Sequence, residues 1–312
     1  MAVSRAYTPT NLIDPPMWTG DVVRGTSNEY VISDGYRTAY YDGYGFGYSG
    51  RSLVAGTMTG FSQYAGNSII GEVYGFSAPA SLADSYLSRG DLKSFIGLML
   101  RGDDQIYGSS GNDKLAGYDG YDFIYGNGGS DYIDGGRGID TVVLSGRGSD
   151  YYLKSDGSFI FMDKKDGTTH NDFINVERIR FDNGTLAVDI NGNAGQAYRI
   201  YQAAFDRTPD SGGLKYWINQ LDNGASLSEV GWGFIQSQEF RSVYGSNPSN
   251  YDLVSRLYQN VLNRQGEASG MNYWVGQLDR GVSKAYVLAS FAESPENVAA
   301  VAPEISAGIW LV

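Results

Sequence analysis

Apolar and polar positions alternate in short runs through the first part of the chain: EYVISD, RTAYYDGYGFGY, SLVAGTMTGF and SIIGEVYGF, punctuated by glycine. Period-two alternation rich in β-branched and aromatic residues predicts half-buried strands. Residues 1–100 are therefore expected to form a β-rich region, a small sandwich or a meander. A second set, DYYLKSD, GSFIFMDKK and ERIRFDNGTLAVDI, predicts further strands over 147–192, with DNG at 182–184 as a hairpin turn. From Asn193 the apolar spacing lengthens to the helical period, and 193–312 is expected to be all-α.

The helical region repeats itself. Residues from Ile200 and from Leu257 align at a constant offset of 57, which pairs Tyr201 with Tyr258, Arg207 with Arg264, Gly213 with Gly270, Trp217 with Trp274 and Glu239 with Glu296. Two copies, 200–240 and 257–297, follow from this. Each reads helix, loop, helix, turn, helix. In the first copy AYRIYQAAFDR has one apolar face, LKYWINQLDNG ends at glycine, and SLSEVGWGFIQSQEF opens with a capping box of Ser226 and Glu229. Arg207, Asp210, Arg264 and Glu267 are expected to bridge loop to helix as structural residues.

Between these regions, over 101–146, the spacing is neither two nor 3.6. Asp104, Asp113, Asp122, Asp131 and Asp140 fall every ninth residue. Two positions after each stands a large aliphatic (Ile106, Leu115, Ile124, Ile133, Val142), and two before each a glycine (Gly102, Gly111, Gly120, Gly129, Gly138). The pattern is G-G-x-G-x-D-x-U-x, with U aliphatic. A three-residue strand x-U-x points U inward, and the glycines turn the chain at angles other residues adopt at a cost. Two repeats make one coil, and successive coils stack about 4.8 Å apart. Asp104, Asp122 and Asp140 then share one side, and Asp113 and Asp131 the other.

Carboxylates stacked at that distance repel unless a cation lies between them. Ca²⁺ accepts six to eight carboxylate and carbonyl oxygens in flexible geometry, where Mg²⁺ demands a strict octahedron. Three sandwiched calcium sites are expected, at 104/122, 113/131 and 122/140, with Asp103 and Asp119 contributing at the ends. The outward residues of one roll face, Gln105, Tyr107, Phe123, Tyr125, Thr141 and Val143, are expected to pack against the flanking β segments; an aromatic ligand platform is the alternative.

Composition narrows the function classes. The 312 residues carry a formal charge of −12, which argues against nucleic acid and for cations. With no cysteine there is no disulfide, thiolate site or cysteine nucleophile. The single histidine, His170, is expected on the surface. GFGYSG at 45–50 lacks the strand–helix context of a dinucleotide loop. The RGD at 101–103 is explained by the repeat position of Gly102, and NGT at 183–185 by its turn. Neither H-E-x-x-H nor G-x-S-x-G occurs, so no enzyme is expected. No apolar run is long enough to span a bilayer, and MAVSRAYTPTNLIDPP has no signal-peptide core.

The five tandem nonapeptides closely resemble the RTX calcium-binding repeats of the parallel β-roll family. The segment FINVERIRFDNGTLAVDI resembles the one that closes such rolls, and 195–300 resembles a helical domain of unknown function that accompanies them. The resemblance implies type I secretion of an unfolded chain from a Gram-negative bacterium, directed by a C-terminal signal for which AAVAPEISAGIWLV is the candidate. It implies folding on calcium outside the cell, where extracellular modules bind at about 10⁻⁴–10⁻³ M. Calcium at about 100 times its dissociation constant adds about 2.7 kcal/mol per site, so three sites supply most of a domain's marginal stability. The expected role is structural or adhesive, at the cell surface or in a matrix, with self-assembly or glycans as partners. A calcium-dependent glycan-binding module using Tyr36, Tyr40, Tyr41, Tyr44, Phe46 and Tyr48 is the alternative, and an unrecognised hydrolase a third.

Overall fold

The N-terminal alternation folds as an antiparallel meander. In the computed structural model, which describes residues 1–157 and 159–312, β1 (Val3–Ala6) is followed by β2 (Asp21–Gly25), β3 (Glu29–Ser33), β4 (Arg37–Ser49), β5 (Ser52–Ala65) and β6 (Ser68–Pro79). Strands β2 to β6 pair in sequence order. Register places Tyr30 opposite Tyr41, Tyr41 opposite Phe61 and Phe61 opposite Val73, so a row of large side chains shares one face. Two helices cover it where only strands were expected: α1 (Ala80–Ser88) and α2 (Leu92–Met99). Asp91 caps α2 by accepting from the Ser94 N–H, and Phe95 packs edge-on against Tyr41 and Phe61 at 5.9 and 5.8 Å. The expected β-rich meander of 1–100 is present, with a helical lid added.

The nonapeptides form the expected parallel roll: β7 (Gln105–Tyr107), β8 (Lys114–Ala116), β9 (Phe123–Tyr125), β10 (Tyr132–Asp134) and β11 (Thr141–Val143). Odd strands pair with odd and even with even, Ile106 opposite Ile124 and Leu115 opposite Ile133, so one coil takes 18 residues. All five aliphatics point inward and are buried. The roll is not a separate body. Strand β1 lies between β6, antiparallel, and β7, parallel, and makes meander and roll one sheet.

After the roll come β12 (Tyr151–Ser155), β13 (Phe159–Lys164), β14 (His170–Ile174) and β15 (Arg178–Phe181). Ser158, inside the expected GSFIFMDKK strand, lies outside the described residues. The segment continues the roll: β14 pairs parallel with β10 and β15 with β11. Phe173 and Ile179 stand beyond Ile133 and Val142 as the next inward residues, both fully buried.

The chain divides into compact units at Asn183/Gly184, ahead of the expected boundary at 192/193. The second unit is not all-α. It opens with β16 (Gly184–Ala187), which pairs antiparallel with the final strand. Between them run α3 (Asn193–Phe205), α4 (Ser211–Asp222), α5 (Leu227–Gln236), α6 (Gln238–Tyr244), α7 (Asn250–Leu262), α8 (Ala268–Asp279), α9 (Lys284–Ala292) and α10 (Pro295–Ile305), before β17 (Ile309–Leu311). The segment read as one helix through Phe240 breaks at Ser237, whose side chain caps α6. Each copy therefore has four helices. The tail AAVAPEISAGIWLV forms the end of α10 and β17, with Ile305, Ile309 and Leu311 buried.

The duplication extends to its contacts. Tyr201 meets Phe234 edge-on at 5.3 Å, as Tyr258 meets Phe291 at 5.0 Å. Arg207 clasps Glu239 through two nitrogens at 2.8 and 3.1 Å, and Arg264 clasps Glu296 at 2.9 and 2.9 Å. Asn193 bonds Asp222 and Asn250 bonds Asp279, so each copy begins earlier than its sequence match suggested. The replacement of Thr-Pro-Asp by Gln-Gly-Glu leaves the loop bridge intact, since Arg264 reaches Glu267 at 2.6 Å.

Candidate metal centre

The repeat aspartates line up as two buried rows. In the first row, Oδ1 of Asp122 accepts the backbone N–H of Asp104 at 2.8 Å, and Oδ1 of Asp140 accepts that of Asp122 at 2.9 Å. In the second, Oδ1 of Asp131 accepts from the Asp113 N–H at 3.0 Å. All five side chains are buried.

Both rows continue past the repeats at each end. The Asp140 N–H donates to Glu177 at 2.8 Å and the Asp131 N–H to Asn171 at 2.9 Å. At the other end, the Ala2 N–H donates to Asp104 and the Thr10 N–H to Asp113. Residues 2–12 are thus an additional coil laid on the first one, with Leu12 and Lys114 also joined through their backbones. Asn171 and Glu177 are not legible in the repeat pattern because neither is aspartate nor on the nine-residue spacing. Ala2 and Thr10 act through backbone N–H groups, which leave no side-chain signal.

Each carboxylate has a second oxygen. Those of Asp104, Asp122 and Asp140 are buried and have no hydrogen-bond partner among the described residues. A carboxylate oxygen shut away unpaired is costly, and burial drives these groups toward the neutral acid. It raises Asp122 and Asp131 to about 7 and Asp140 to about 8, and raises Asp104 also. The second oxygen of Asp113 accepts from the Ser109 N–H at 2.7 Å and from its hydroxyl at 3.0 Å.

Beside these oxygens lies a line of glycines five positions ahead of the aspartates. A Cβ on Gly117 would collide with Oδ2 of Asp122 and with the Gly135 carbonyl oxygen; on Gly135, with Asp140 and the Asn175 carbonyl; on Gly108, with Asp113 and the Gly126 carbonyl. Each gap is bounded by one carboxylate and one carbonyl oxygen from the next coil. These hard oxygens fit calcium. Among the described residues no three His, Cys, Asp or Glu side chains gather as a metal cluster, so carbonyls are needed to complete any such set. Gly108, Gly117, Gly126 and Gly135 were present in the quoted pattern but were read only as turn formers.

The other named residues divide. Gly120, Gly129 and Gly138 have positive φ and no room for a Cβ against the carbonyls of Gly102, Gly111 and Gly120, so they space the coils. Gly102 has positive φ in open space, and Gly111 lies against Pro9. Asp103 and Asp119 are not in the rows. Asp103 accepts the Tyr121 N–H at 2.9 Å, and Asp119 faces Arg137 at 3.7 Å, although both add to the negative field at Asp122.

The outward roll face corrects the packing expectation. Its flanking strands lie beside it rather than over it, and its residues are half-exposed or exposed. Tyr107 and Tyr125 stack on each other at 4.6 Å, and Arg180 covers the Phe123 ring at 4.9 Å. In the N-terminal region Tyr41 and Phe46 are buried, while Tyr36, in the bend ahead of β4, and Tyr44, within β4, are exposed. His170 is on the surface between Asp163 and Asp172, and its pKa is raised, first by the hydrogen bond to Asp163.

A glycine-spaced parallel roll with two carboxylate rows defines a calcium-binding β-roll. Residues 100–124 and 107–142 match the RTX calcium-binding nonapeptide repeat (4 copies), and 193–242 and 231–301 match a domain of unknown function, DUF4214. No curated protein matches the chain. Among solved structures, the extracellular lipase LipA from Serratia marcescens is similar, at 24% identity and a TM-score of 0.27 over 29% of this chain and 16% of the lipase. So small a share of the lipase has no bearing on the activity of this chain. No helix among the described residues is long and apolar enough to cross a membrane.

Proposed function

We propose that this is a secreted protein that folds on calcium outside the cell and serves there as a structural or adhesive element, without catalysis. Export through a type I system, unfolded, is part of the proposal. The observation that carries it is the set of buried, partnerless Oδ2 atoms on Asp104, Asp122 and Asp140. Asp122 with the Gly135 carbonyl, Asp140 with the Asn175 carbonyl and Asp113 with the Gly126 carbonyl are the groups that would hold the ions. Bound calcium supplies the positive charge that keeps these buried carboxylates ionised. At cytosolic calcium the sites stay empty and the chain remains fit for export; at extracellular calcium they fill.

The test is size-exclusion chromatography with light scattering, in EGTA and then in calcium. An expanded chain that compacts and then builds large ordered assemblies supports the structural role. Compaction to a monomer that stays a monomer favours the glycan-binding alternative. One compact species in both buffers, with no calcium found by elemental analysis, ends the proposal.

A further inference from the structure

A cavity of about 530 Å³ lies in the first unit, beside the first coil of the roll. Its apolar lining comes from four places: Phe61 of β5, Phe95 and Met99 of α2, Leu115 of β8, and Trp18 of the segment ahead of β2. That volume is typical of small-molecule sites, and polar side chains such as Thr10, Gln63 and Asn112 line the cavity beside the apolar ones.

The charged groups on its lining are not equivalent. Arg5 faces Glu72 at 3.7 Å, and Arg37 faces Asp34 at 3.9 Å. Lys114 is exposed and has no ion pair among the described residues. One cation is therefore free for a ligand, at the exposed side of an apolar chamber. Glu72 on the lining and the overall charge of −12 disfavour a polyanion.

We propose that this cavity binds a small amphiphilic monoanion of the fatty-acid type, its chain among Phe61, Phe95 and Trp18 and its carboxylate on Lys114. Binding is calcium-dependent, and that clause rests on the function proposed above. Thr10, which lines the cavity, is fixed by Asp113, and Lys114 follows Asp113 directly. The chamber wall is complete only when the first coil is folded.

The experiment titrates full-length protein in calcium with brominated dodecanoate and follows tryptophan fluorescence. Of the five tryptophans only Trp18 is in the first unit, so partial, saturable quenching is expected, and Trp18→Phe removes it. Ala65→Phe, at another lining position, fills the cavity and weakens binding. Lys114→Gln weakens dodecanoate by about tenfold or more and leaves brominated dodecanol unchanged, since a charge-assisted bond is lost only for the acid. Calcium-driven compaction without saturable quenching overturns the cavity proposal and leaves the calcium function standing. Equal quenching in EGTA and calcium overturns the calcium clause. Should Ala65→Phe fail to fold, equal loss of acid and alcohol in Lys114→Gln overturns the head-group assignment.

Discussion

The roll and the helical unit both stack a repeated sequence, but they hold the stack in different ways. A coil of the roll takes 18 residues and buries two large aliphatics, for example Ile106 and Leu115. Glycine backbone, carboxylates and the Ser109 hydroxyl are buried with them. A copy in the helical unit takes 57 residues and buries a contiguous apolar core that includes Leu214, Ile218, Val230 and Phe234. Its charges find partners within the unit: Arg207–Glu239 and Arg264–Glu296 at the surface, and the buried Arg199 on Glu293. On the function proposed above, one repeat depends on an ion that comes from outside; the other carries its own counter-charges. Repetition in sequence therefore says little about how a fold is stabilised until the interior of one repeat is known.

Calcium removal separates the two most strongly. In EGTA the strands of the first unit are expected to lose their protected amides in hydrogen exchange, while α3 to α10 keep theirs. Uniform protection of both units in EGTA breaks the comparison.

Glycine substitution gives the next largest contrast. Gly117→Ala puts a Cβ onto a carbonyl and a carboxylate of neighbouring coils, and is expected to cost about 3 kcal/mol or more and to abolish calcium-driven compaction. Gly281→Ala meets open space at φ +95° and is expected to cost about 1–2 kcal/mol, with calcium response unchanged. Thermal unfolding in calcium measures both.

The pH response is smaller and opposite in sign. Without calcium, the raised pKa of Asp140, about 8 against 3.8 for an ordinary aspartate, means that its protonated form favours the fold. That stability is complete below 3.8 and lost as pH rises through about 8. Acidification in EGTA is thus expected to stabilise the first unit, whereas in calcium it weakens binding by competition. In the second unit Asp210 is lowered by the Tyr201 hydroxyl and Glu267 by Arg264, so its stability holds above the ordinary carboxylate range and falls below it. Denaturation curves between pH 4 and 8 are expected to move for the first unit and stay level for the second.

What the sequence disclosed follows side-chain chemistry. The roll, its period and its five aspartates were legible because a coil that repeats must repeat its residues. The duplicated helices were legible because one offset covered both copies. The ends of the roll were not: Asn171 and Glu177 replace aspartate off the period, and Ala2 and Thr10 contribute only amides. The helices over 80–99 were missed because ASLADSYLS and LKSFIGLM are short and follow directly on strands, where tertiary cover over Tyr41 and Phe61 decides their form. The glycines at 117 and 135 were visible as letters, but the space they leave is a property of the next coil.

The strand at the head of the chain has a kinetic consequence. Interior rungs of the roll join residues 18 apart, as at Asp104 and Asp122, whereas the rung from Ala2 to Asp104 closes a loop of 102 residues. Loop-closure entropy growing as the logarithm of length makes that rung about 1.5 kcal/mol harder to start than an interior one. The roll then assembles as a zipper whose inner teeth engage early and whose last tooth is β1.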